Sequence, residues 1–270
     1  MKIQSVAGYL CLLMGHFRPL VYFGTYTVQG SKGIYSARFD SATGRISEPR
    51  LAAPAVNPSF LTTHPTAPYL YAVSEVKDYH GSGNGAVMVF EIDWHTGGLT
   101  LVQEISSGGR GPCHLAMDPS GTNLLVANYG EGTVAVIPSA ADGRLKVTSS
   151  LWKHSGSGVR QNRQNAPHPH SVTVSHDGRF VWVPDLGLDQ VRIYQLDPAT
   201  GALAARRHFP SLGRTPRHFG MDPRGQFLLV GNQDSNEAVV FQIDQTTGAL
   251  FPAGERVEIP SPTCILFVPA

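Results

Sequence analysis

Asp197-Pro198-Ala199-Thr200-Gly201-Ala202-Leu203 sits between two apolar runs and belongs to a turn that recurs along the chain. The pattern Asp-x-x-Thr-Gly-x-Leu/Ile returns at Asp40 to Ile46, Asp93 to Leu99 and Asp244 to Leu250, with a shortened form at Asp142-Gly143-Arg144-Leu145. An Asp side chain bonds back to nearby backbone and Gly accepts positive φ, so each of the five copies predicts a tight hairpin between two strands.

Working outward, a second turn, Asp-Pro-x-Gly or a close variant, precedes another strand in four of the units. It occurs at His64 to Ala67, Asp118 to Gly121, Ser175 to Gly178 and Asp222 to Gly225. The unit is therefore strand a, the Asp-Pro-x-Gly turn, strand b, a loop, strand c, the Asp-x-x-Thr-Gly turn and strand d, about fifty residues in all. Such a unit is one blade of a β-propeller built from four-stranded antiparallel sheets. Five blades are readable: 21–52 completed by a strand at 262–268, then 58–105, 112–150, 169–209 and 216–258. The first unit opens at strand b, and Pro262 to Val268 supplies the lost strand a from the C-terminal end, closing the sheet edge. Residues 1–20 are a separate N-terminal extension and 21–270 a single all-β domain.

Composition narrows the function. A net charge of +1 over 270 residues carries no footprint of a nucleic-acid or membrane-surface binder, so a small-molecule partner is expected. Cys11, Cys113 and Cys264 have no metal-ligand or disulfide spacing and read as free thiols. No apolar run reaches the roughly 18–20 residues that span a bilayer. Residues 1–19 lack small residues ahead of a cleavage point, so a cytoplasmic protein is expected; the alternative, a secreted or periplasmic one, makes them a signal peptide.

Because strands a and b are antiparallel neighbours, strand a starts and strand b ends on the same face of the disc. Ser59, Cys113, His170 and Arg217 stand at the starts; Ser74-Glu75, Asn128-Tyr129, Asp185-Leu186 and Asn232-Gln233 stand at the ends. The segment 151–167, with Arg160 and Arg163, leads into Pro167-His168-Pro169-His170 at the same mouth. Polar groups converging from several blades suit a polar, anionic ligand; the alternative is that the Asn and Asp residues only cap turns.

Tyr22-Phe-Gly-Thr-Tyr-Thr27, Tyr71-Ala-Val-Ser-Glu-Val76, Ala166-Pro-His-Pro-His-Ser171, Val183-Pro-Asp-Leu-Gly187, Thr215-Pro-Arg-His-Phe219 and Asn232-Gln-Asp-Ser235 resemble phrases of the lactonase family of β-propellers. That family includes the propeller form of 6-phosphogluconolactonase and is related to the carboxy-cis,cis-muconate lactonising enzyme. The resemblance implies hydrolysis of a sugar lactone, 6-phospho-D-glucono-1,5-lactone, in the pentose phosphate route, with no metal or other cofactor. It implies His170 as base or proton carrier and Arg217 as the oxyanion or phosphate group, with Arg163, Gln164, His168 and Asp185 lining the pocket; Glu75 and Asn128 join them as substrate-binding residues from their places at the ends of strand b, Glu75 in a different sector of the ring from Arg217. Two alternatives stand beside it: a muconate-type lactonising enzyme, and a non-catalytic propeller binding a sugar acid or a protein. The family has seven blades, so roughly ninety residues are expected to be missing between Ala204 and Gly213. By the same resemblance the family's Arg-His phrase, with a catalytic Glu sixteen positions on, lies in the missing region; here Gln233 follows Arg217 at that spacing, so Arg217 matches the last blade's similar phrase and the family's Glu has no counterpart.

Overall fold

The structure, a computed structural model, describes residues 19–27, 30–40, 45–160, 162–222 and 224–258. It contains five four-stranded antiparallel sheets in chain order. The first comprises β1 (Leu20–Phe23), β2 (Gly33–Asp40), β3 (Arg45–Ile46) and β4 (Arg50–Pro54). The second comprises β5 (Leu61–Thr63), β6 (Tyr69–Ser74), β7 (Ala86–Ile92) and β8 (Leu99–Ser106). The third comprises β9 (Pro112–Met117), β10 (Asn123–Asn128), β11 (Thr133–Pro138) and β12 (Ser150–Lys153). The fourth comprises β13 (Thr173–Val174), β14 (Phe180–Asp185), β15 (Gln190–Asp197) and β16 (Ala202–Pro210), and the fifth β17 (Pro216–Met221), β18 (Phe227–Asn232), β19 (Glu237–Ile243) and β20 (Leu250–Glu258). The described helical content is one 3-10 turn, Gln233–Ser235.

Both turn types form as their residues require. Asp93 accepts bonds from the His95 and Thr96 amides and the Thr96 hydroxyl, and Gly97 sits at φ 78°. Asp197 and Asp244 repeat the arrangement. In the Asp-Pro-x-Gly turns, Asp118 accepts from the Thr122 and Asn123 amides, and Asp222 from those of Gln226 and Phe227. His64 serves the same end differently: Nδ1 accepts from the Thr66 and Ala67 amides while Nε2 donates to the Gly121 carbonyl of the next blade.

The first sheet departs from the other four. Its four strands are b, c and a broken d, since β3 and β4 both pair with β2. The expected closing strand at 262–268 lies outside the described residues, as do residues 1–18, Cys11 and Cys264. A second correction concerns 151–167: Leu151 to Lys153 continue β12, because Trp152 packs into the cluster between the third and fourth sheets and donates from Nε1 to the Leu203 carbonyl. Only the remainder of that segment is an insert.

Buried apolar clusters join sheet one to two, two to three, three to four and four to five. Alternation in the b and c strands explains this: Val181 and Val183 of β14 face the third sheet while Phe180 and Trp182 face the fifth. Each inner strand is thereby held between neighbours, with its first residues at the mouth of a cavity.

Candidate active site

The cavity has a volume of about 470 Å3 and is walled by groups from all five sheets or the segments beside them. Tyr26 follows strand b of the first. Ser59, Phe60 and Glu75 come from the second, Cys113, His114 and Tyr129 from the third, His170 with Arg163 of the insert from the fourth, and Arg217 and His218 from the fifth.

Consecutive residues line it where an ordinary strand would alternate them. The cause is a bulge at the mouth of the inner strands. In the third sheet the register skips Cys113, since Ala127 pairs with His114 and Asn128 with Pro112. In the fifth it skips Arg217, since Gly231 pairs with His218 and Asn232 with Pro216. A bulge sets two residues against one and re-aims their side chains, so Cys113 with His114, and Arg217 with His218, both reach the cavity. In the fourth sheet strand a is reduced to β13 and a bridge from Pro169 to Asp185, and His170 donates its amide to the Pro184 carbonyl. The signal was present in the sequence: Pro58-Ser59-Phe60, Pro112-Cys113-His114, Pro169-His170-Ser171 and Pro216-Arg217-His218 each place a proline, which has no amide to give the ladder, directly before the cavity residue.

A sixteen-residue spacing also closes in space. Ser59 donates its hydroxyl to Glu75, and Arg217 donates to the Gln233 side chain at 3.4 Å. Tyr26 donates to the same Glu75 oxygen, Oε2, at 2.8 Å. Cys113, on the same wall, feels both charges: burial raises its pKa most, the charge of Glu75 raises it further and that of Arg217 opposes them. The thiol's contacts include the His170 and Pro169 carbonyls. Burial also raises the Tyr26 phenol to about 12, with its Glu75 bond adding to the shift.

Burial lowers the pKa of His170 to about 4, and Arg217 and Arg163 add to the shift. The imidazole is neutral at pH 7 and is a weak proton acceptor there. His114 and His218 are lowered by burial too, His114 also by the other two imidazoles. The cationic side of the cavity thus consists of Arg163 and Arg217 among neutral histidines. Arg163 is oriented by Asp234 at 3.7 Å, which also receives Arg160 at 2.6 Å and the Thr215 hydroxyl at 2.8 Å. The insert is in this way tied to the fifth blade.

Of the expected site residues, His170, Arg217, Arg163 and Glu75 meet at the cavity wall. Gln164, Asp185 and Asn128 are fully buried away from it. Gln164 folds the insert, donating to the Leu186 carbonyl and Asp189 and accepting the Arg160 amide. Asn128 donates to the Ser107 carbonyl and to Thr133. Asp185 accepts the His168 and Gly187 amides with one oxygen and His154 Nδ1, at 2.5 Å, with the other. His168 stacks on Tyr129 at 4.2 Å and donates from Nδ1 to the Tyr129 carbonyl. These four residues hold the wall that the other four present. Tyr129, expected at the mouth beside Asn128, does line the wall; Tyr26, His114 and His218 line it as well and are not placed there by the strand-end reading, the histidines because a bulge is invisible to an alternating pattern.

The family described as Lactonase, 7-bladed beta-propeller, matches residues 20–210 and 194–267. The two matched segments overlap on 194–210, within the fourth sheet, next to the place where the missing blades are expected. A 6-phosphogluconolactonase of Bacillus subtilis (strain 168) is 33% identical over 227 residues, 84% of this chain and 63% of the relative, so the chain spans less than two thirds of that protein's length. Among solved structures, a protein from Lactobacillus plantarum is 29% identical with a TM-score of 0.80, covering 91% of this chain and 69% of the other. The periplasmic gluconolactonase PpgL of Pseudomonas aeruginosa is 25% identical with a TM-score of 0.59, covering 93% of this chain and 99% of its own. With five sheets where the family description has seven, and with the family's pattern running along almost all of its length, the chain belongs to the lactonase family of β-propellers.

Proposed function

We propose that this chain hydrolyses a sugar lactone, 6-phospho-D-glucono-1,5-lactone, to the open-chain acid. The observation that carries the reading is that Arg163 and Arg217 both line a 470 Å3 cavity and both act on His170, among histidines that are uncharged. A phosphorylated lactone presents an anion, hydroxyls and a carbonyl that becomes an oxyanion under attack by water. A guanidinium at the wall answers the developing negative charge, an effect typically worth 10²–10³ in rate for one donor. Neutral His170 offers a hydrogen bond to the ring or its hydroxyls. The pentose phosphate route and a cytoplasmic setting belong to the same reading, as does a small-molecule partner.

The test is hydrolysis of the lactone by the purified chain at fixed pH, with the spontaneous rate subtracted. Arg217→Ala is expected to lower kcat at least 100-fold and His170→Ala at least 10-fold. Unchanged rates in both variants remove these residues from the mechanism. Saturable binding of the acid by a folded chain with no turnover supports a binding propeller in place of an enzyme.

A further inference from the structure

The cavity carries one carboxylate among its described lining residues, Glu75, sixteen residues after Ser59, while Gln233 stands sixteen after Arg217. The two positions are equivalent in their own blades: each directly follows the last residue of strand b, Ser74 or Asn232. The question is whether the second blade's carboxylate faces the same space as Arg217, and the cavity answers it. Glu75, Cys113 and Arg217 share one wall system, and the Cys113 thiol responds to the charges of both of the others.

The orientation of Glu75 is specific. Ser59 and Tyr26, from two different blades, both donate hydroxyls to Oε2. Oε1 has no partner among the described residues. A carboxylate pinned through one oxygen, on a residue of the cavity wall, keeps the other oxygen to accept a proton from a water molecule. The other candidate, His170, is made a weak proton acceptor by burial and the arginines, which lower its pKa to about 4.

We propose that Glu75 is the general base of this chain, accepting a proton from the attacking water through Oε1 while Tyr26 and Ser59 fix the carboxyl from behind. This rests on the lactonase reading above. The water oxygen bonds to the lactone carbonyl carbon as its proton passes to Glu75, and the carbonyl oxygen takes the negative charge beside Arg217. Collapse re-forms the carbonyl and breaks the bond to the ring oxygen, which takes the proton back from Glu75. One water is consumed, and the ring-opened hydroxy acid then ionises.

The experiment compares wild type, Glu75→Gln, Glu75→Asp and Tyr26→Phe for kcat and KM across pH 5–8, with 6-phosphogluconate binding measured by calorimetry on the same samples. Glutamine keeps the shape and can still accept both hydroxyls, so binding should change less than 5-fold while kcat falls 10²–10⁴-fold. Aspartate, which keeps a carboxylate, should recover part of that loss. Tyr26→Phe should cost less than Glu75→Gln and shift the acidic limb of the kcat profile. An active wild type matched in kcat by Glu75→Gln overturns the role of Glu75 alone. A folded wild type no faster than spontaneous hydrolysis overturns the lactonase reading and this role together.

Discussion

His170 is the residue whose environment makes the firmest statement about pH. Its pKa is lowered to about 4 by burial, with Arg217 and Arg163 adding to it. The unfolded chain therefore takes up a proton near the ordinary value of 6.5 while the native protein does not until about 4. Stability is complete above pH 6.5 and declines as the pH falls through that window, by on the order of 1–2 kcal/mol at pH 5 for this residue. His114 and His218, lowered by burial, act with the same sign. The turn carboxylates Asp93, Asp197 and Asp244 are lowered by their hydrogen bonds and lose their contribution only below about 4, outside the window. Urea unfolding at pH 7.5, 6 and 5 should show a falling midpoint in wild type and a shallower fall in His170→Gln. Parallel slopes in the two proteins would show that His170 is not buried as described.

Among the elements, the end of strand b deserves comparison across blades. Ser74, Asn128 and Asn232 are fully buried and bond the carbonyls of Val56, Ser107 and Ser211 in the segment that enters each blade. The fourth blade replaces this neutral clamp with Asp185, His154 and Tyr194. His154 Nδ1 donates to Asp185 at 2.5 Å and Nε2 accepts the Tyr194 hydroxyl at 2.6 Å, all three nearly or fully buried. Burial pushes the Tyr194 phenol up, so it remains a donor. Because Asp185 also accepts the His168 amide, the relay sets the path of the segment that carries His170. Asp185→Asn turns an acceptor toward a donor and is expected to cost about 2–3 kcal/mol in urea unfolding. Adding His154→Ser and Tyr194→Phe rebuilds the Asn–Ser clamp of the neighbouring blades and should recover most of that stability. The Gly187 position tests the same path sterically: a Cβ there would meet the Ala166 carbonyl oxygen at 1.9 Å. Gly187→Ala should therefore displace residues 166–170 and lower kcat for the proposed lactone hydrolysis at least 10-fold even in a folded protein. Repeat spacing made the blades and Ser59, Cys113, His170 and Arg217 legible in the sequence, since Asp and Gly turns act over a few residues. The relay was not legible, because His154 and Asp185 meet only after two blades pack. Asn128 and Asp185 stand at strand ends, where the sequence places polar residues without saying which way they face, and Gln164 follows only from the resemblance, which does not show that it turns inward to hold the insert.

For the whole molecule, the five sheets form a row joined by four buried apolar clusters. In such a repeat array each unit draws stability from its neighbours, so a sheet clasped on both faces should open less readily than one clasped on a single face. The third sheet has both: Leu125, Ala127, Val134 and Val136 face the fourth sheet while Leu124, Val126, Ala135 and Ile137 face the second. At the other extreme, β20 is buried at Leu250 and exposed through the rest of its length, with Phe251 53% and Val257 48% exposed. Amide hydrogen exchange followed by mass spectrometry should show β10 and β11 exchanging slowest, at rates approaching global unfolding, and β20 at least 100-fold faster. The contrast also bears on the missing blades. If the closing contacts of a smaller ring formed as strongly as the four clusters, protection would be nearly even around the disc and β20 would exchange with the rest. A graded profile falling from the third sheet toward the fifth would mean that the row behaves as an arc cut from the seven-bladed family architecture, held by its middle.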